Sequence, residues 1–128
     1  MRQRSQKDGD VTHDQETSSI VARLCVEQWK LLQQYAKTVG LVPDAEKNRL
    51  TSQIKYSEIQ LHALAAEAGL KVISLDGEPF GPGSPATADN LEDFPSEDGL
   101  VVERTLSPAI VRDMRVIQMG RVLLALKS

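Results

Sequence analysis

The stretch that decides the fold is AAEAGLKVISLDGEPFGPG, Ala65 to Gly83. It opens with alanines and glutamates that favour helix, halts at Gly69, and resumes as Leu70-Lys-Val-Ile-Ser-Leu75, a run that reads as a strand. Asp76-Gly77 ends that run as a turn. The period of the chain thus changes at Gly69 from that of a helix to that of a sheet.

Upstream, a helix is predicted from Asp44, as N-cap, to Ala68, with Gly69 as its stop. Its apolar positions Leu50, Ile54, Leu61, Leu64 and Ala68, with Ser57 among them, advance by steps of 4 and 3. That is a heptad seam, suited to packing against another helix at about +20°. Tyr56 and Ile59 broaden the apolar face. A first helix is predicted from Thr17, Ser18 or Ser19 as N-cap, through Val21, Leu24, Cys25, Leu31, Leu32, Tyr35 and Val39, to Gly40. Pro43 prevents its continuation. The two form an antiparallel hairpin joined by Gly-Leu-Val-Pro. One hairpin has a single buried seam, so a homodimer that doubles it into a four-helix bundle is expected, with Leu50, Ile54, Leu61 and Leu64 at the interface. Residues 1–16 are polar and without period and read as a disordered tail.

Downstream, residues 78–99 hold Pro79, Pro82, Pro85 and Pro95 with Gly81 and Gly83, too many breakers for regular structure. Gly99 to Leu106 reads as a strand, Ser107-Pro108 as a turn, and Asp113-Met114 as another turn. Val116-Ile117 and Met119–Leu126 supply the last strands. The expected class is α+β: a helical hairpin over residues 17–69, then a small all-β domain over residues 70–128.

With a net charge of −3, nothing in the 128-residue chain as a whole points to nucleic acid or to an anionic membrane. No apolar run approaches the roughly 18 residues of a membrane span. The first residues have no apolar signal core, and one cysteine makes no internal disulfide, which together suggest a cytoplasmic protein. Chemistry-bearing residues are few. His13, His62 and Cys25 have no metal-ligand spacing and form no nucleophile–base set. His62 reads as the solvent flank of the seam and Cys25 as a small core residue. A hydrolase would rest on those two alone, so no catalytic residue, metal or cofactor is expected. Gly77, Gly81 and Gly83 are interrupted by proline and serve turns, not a phosphate loop.

Gly69, Leu70, Ile73, Gly77, Phe80 and Pro82, followed by Pro108, Ile110, Arg115, Ile117, Gly120 and Val122, stand in an order and spacing that resembles the GrpE family. These are nucleotide exchange factors of DnaK-type heat-shock chaperones. The resemblance runs from about Ala45 to the end. It departs from the family at Gly81, where an Asp is usual, and at Gln118, where a second arginine is usual. The long paired helical stalk that precedes the bundle in the family has no counterpart expected here. The resemblance implies a homodimer whose β domain presses on the ATPase domain of a DnaK-type chaperone and holds its nucleotide cleft open. It implies that Arg115 contacts the partner, with Val122 and Leu124 as apolar strand positions beside it. Arg112 and Arg121 read as solvated residues. The other expectation is a dimeric scaffold that keeps the shape without exchange activity.

Overall fold

In the computed structural model the backbone is described for residues 2–127 and the side chains for residues 15–127. The class is α+β, two helices followed by six short strands. Helix α1 spans Arg2–Val39 and helix α2 spans Asp44–Glu67. The helix start expected at Thr17–Ser19 is therefore corrected: α1 continues through that point into the stretch expected as a tail. Its arginines, glutamines and lysine are good helix formers, no proline precedes Pro43, and Gly9 is a single interruption worth about 1 kcal/mol. The side chains of residues 1–14, His13 among them, lie outside the described residues.

The inner face of α1 is Ala22, Cys25, Trp29 and Leu32, at spacings of 3, 4 and 3. They pack on Leu61 and Ala65 of α2. Full burial of residues the size of Leu32 and Leu61 contributes roughly 1.5–3 kcal/mol each. Asp44 is the first residue of α2, not its cap: Pro43 holds the cap position and makes no side-chain hydrogen bond there. The other end behaves as the sequence suggests. Gly69 takes a left-handed φ of 74°. Its N–H bonds to Ala66 O at 2.9 Å and the Leu70 N–H to Ala65 O at 2.8 Å. These two bonds are the Schellman pair, and Leu70 and Ala65 meet in the same core. The stop at Gly69 thus delivers the chain directly into the sheet.

The strands are β1 Lys71–Ile73, β2 Ala86–Ala88, β3 Leu100–Ser107, β4 Ala109–Arg112, β5 Arg115–Gln118 and β6 Gly120–Leu126. They form two three-stranded sheets, β1-β4-β5 and β2-β6-β3. All pairings are antiparallel except β2 with β6. Two expectations change here. The breaker-rich stretch contains β2 and a single 3-10 turn, Leu91–Asp93. Ala86 and Ala88 are small enough to lie against Gly120 and Val122 of β6, and Ala86 is buried. Ser107-Pro108 is not a hairpin turn but the point where the chain passes from one sheet to the other, with Pro108 fully buried. Gly120 sits against it: a Cβ there would meet Ser107 O at 2.9 Å and Ala109 N at 3.1 Å. Only glycine allows that approach.

Two hydrophobic cores result. One joins α1 and α2 to Leu70, Val72 and Ile110, so the helical hairpin and the β1-β4-β5 sheet share it. The other lies on one face of the β2-β6-β3 sheet and contains Leu75, Ala86, Leu100, Val102, Ala109, Val122 and Leu124, with Ile73, Phe80, Leu91 and Phe94 packed against it. The change at residues 69–70 is therefore a change of secondary structure within one continuous packing arrangement.

Candidate partner-binding surface

Three arginines punctuate the last strands, and the fold treats each differently. Arg112 is drawn back onto α1: its Nη1 donates to Ser18 Oγ at 2.7 Å. Arg121 is taken up by Asp89, donating through Nε and Nη2 to both carboxylate oxygens. That contact holds the Asp89 carboxyl below its ordinary range and pushes the Arg121 guanidinium further up. Arg115 is exposed and, among the described residues, has no hydrogen-bond or ion-pair partner. Of the three, it is the one free to meet another molecule.

Arg115 is carried by β5, an edge strand whose one ladder neighbour is β4. The turn between them is Asp113-Met114, both residues in left-handed backbone, as a two-residue hairpin turn of right-handed twist requires. Met114 is 97% exposed, and Val116, Ile117 and Met119 are also exposed. The tip and edge thus join a free guanidinium to an apolar surface.

The other partner-facing residues expected from the resemblance are corrected. Val122 and Leu124 are 0% and 2% exposed and belong to the core on the β2-β6-β3 sheet. The reason is β6's place in the middle of its sheet. Its alternate positions Gly120, Val122 and Leu124 face the second layer, and the intervening Arg121, Leu123 and Ala125 face away. The seam on α2 is corrected in the same way. Ile54 and Leu61 are buried within the single chain, Leu61 against α1, and Leu50 is half-buried. Leu64 alone of the four remains broadly exposed.

Sequence reasoning missed where the open apolar surface would lie on α1. Cys25 and Leu32 point inward, while their neighbours Leu24 and Leu31 are each 64% exposed. Successive residues on a helix are about 100° apart, so Leu24 and Cys25 cannot both face α2. With Ile20 and Tyr35, also exposed, they form a second stripe at spacings of 4, 7 and 4. The signal was present: a helix with apolar residues on two faces has two neighbours to satisfy.

A groove of about 720 Å³ runs between the hairpin and β3, lined among others by Trp29, Leu31, His62, Asp76 and Arg104. Cys25 does not line it, and burial raises its thiol pKa, which makes it a poor nucleophile. Cys25 is enclosed in the core while His62 is exposed, and no hydrogen bond joins them among the described residues. Among the described residues no cluster of His, Cys, Asp or Glu is arranged to hold a metal ion, and no helix is long and apolar enough to cross a membrane.

Set against known protein families, curated proteins and solved structures, the chain has no match in any of the three.

Proposed function

We propose that this chain is a non-catalytic, homodimeric exchange factor of the GrpE type, acting in the cytoplasm on the ATPase domain of a DnaK-type chaperone. The observation that carries the reading is Arg115: an exposed guanidinium with no partner among the described residues, at the end of the β domain and beside apolar surface, while Arg112 and Arg121 are engaged within the chain. A guanidinium makes a planar, two-point contact to a carboxylate that lysine does not reproduce. The order of a helical hairpin and then a small β module is the order that the resemblance implies.

Such a factor makes and breaks no bonds. It binds the open, nucleotide-free partner more tightly than the ADP-bound one, and by linkage ADP weakens its own binding by the same factor. A 10⁴-fold effect needs about 5.5 kcal/mol of differential affinity. One arginine with an apolar patch can supply that; exposed charges alone cannot.

Dimerisation into a four-helix bundle remains part of the reading, through a different face. Ile54 and Leu61 are used inside the hairpin, so the stripe of Ile20, Leu24, Leu31 and Tyr35, with Leu64 of α2, is the surface offered to a second copy. A Leu24→Asp/Leu31→Asp pair should leave the monomer folded and halve the mass in sedimentation.

The test is release of a fluorescent ADP from a DnaK-type chaperone, with the wild-type chain, with Arg115→Ala and without either. Acceleration that the variant loses supports the exchange reading. A folded dimer that leaves the release rate unchanged sinks it in favour of a scaffold serving a dedicated partner. Gln118, where the family's second arginine is usual, is the residue that favours that second reading.

A further inference from the structure

The β4–β5 turn combines strain with exposure. Asp113 and Met114 have φ of 49° and 65°. Asp tolerates the left-handed region, but a long side chain such as Met pays a steric penalty there, and glycine is the relaxed choice at the second turn position. Met114 is nevertheless 97% exposed. Its side chain therefore recovers no burial within the chain for the strain it imposes. Strain of this kind belongs with contact sites more than with packing.

The surroundings agree. Val116 and Ile117 are exposed beside the turn, and Arg115 follows it directly. Arg112, opposite Arg115 in the ladder, is held by Ser18. Arg112, Asp113 and Arg115 leave the tip with a net positive charge on a chain whose total is −3. Strand β5 carries no proline or lysine to blunt its free edge.

We infer that the β4–β5 tip is an insertion element, with Met114 as apolar anchor and Arg115 as its polar companion, for a pocket on a partner protein that has an apolar floor and a carboxylate at its rim. The thioether chain is flexible and polarisable and fills irregular apolar pockets. An apolar anchor flanked by an arginine is a common composition for the few residues that dominate an interface. The positive tip complements an acidic rim and disfavours a basic one.

The inference rests on the exchange reading for its choice of probe, the ATPase domain of a DnaK-type chaperone. The full-length chain is titrated against that domain as wild type, Met114→Gly and Met114→Leu. Met114→Gly suits the backbone, so its melting temperature should equal or exceed that of the wild type, while its affinity falls tenfold or more. Met114→Leu should bind within about threefold of the wild type, since an apolar anchor is kept. A lower melting temperature for Met114→Gly would make Met114 a folding residue and overturn the inference. Equal affinity of Met114→Gly and wild type would overturn it while leaving the exchange reading standing. A wild type that does not bind the domain overturns both. A change in sedimenting mass confined to Met114→Gly would assign the tip to a second copy of this chain, and that too overturns the inference.

Discussion

Strands β5 and β6 are separated by Met119 alone, and both are short, apolar and carry one arginine. Their fates differ. β6 lies between β2 and β3 and turns Val122 and Leu124 into the core, while its Arg121 is held by Asp89. β5 is bonded to β4 alone and leaves Arg115, Val116 and Ile117 exposed. Composition is therefore a poor guide to burial in strands this short. What decides is the number of neighbours a strand has and whether a second layer covers its face.

The largest expected effect breaks or upholds that contrast directly. Leu124→Ala should lower stability by about 2–5 kcal/mol in denaturant unfolding, because the truncated side chain leaves a cavity in a closed core. Ile117→Ala should change it by less than about 0.5 kcal/mol. Similar losses for the two would mean that β5 is covered as well as β6.

A smaller effect is expected where β6 begins. Gly120→Ala places a Cβ against backbone atoms of Ser107 and Ala109 that have no room to retreat, and should cost about 1–3 kcal/mol. Gly83→Ala, with nothing within 4 Å of the added atom, should be near neutral in the same thermal melt. A neutral Gly120→Ala would show that the crossing at Pro108 can yield.

The smallest effect concerns the exposed Asp89–Arg121 pair. The folded Asp89 carboxyl titrates lower than in the unfolded chain. Its contribution is thus present above the unfolded value, about pH 4, and is lost as the pH falls through the folded one. Arg121→Ala should remove a modest stability difference at neutral pH, and the two unfolding curves should converge in acid. Curves that do not draw together as the pH falls would mean that Arg121 acts through packing.

The limits of sequence reading follow the same physics. The Gly69 stop, the β3 strand and the Asp113-Met114 turn were legible because each depends on a few neighbouring residues. The start of α1 was not, since a polar stretch without a proline is compatible with either helix or tail. β2 was hidden because three residues between breakers carry no periodic signal. Its strand state comes from pairing with β6, far along the chain. For the candidate surface, Arg115 stands out from resemblance, but only the fold distinguishes it from the other two arginines, which Ser18 and Asp89 engage while Arg115 stays exposed.

By itself the sequence determined the α+β class, the succession of a helical hairpin and then a run of strands, and the place where helix gives way to sheet. Those follow from local conformational preference and from the change of period at Gly69. The tertiary structure alone decided which apolar residues are spent within the chain. Ile54, Leu61, Val122 and Leu124 are enclosed, whereas Leu24, Leu31 and Met114 stay open. Local pattern marks a face as apolar, but only packing against distant segments determines whether anything covers it.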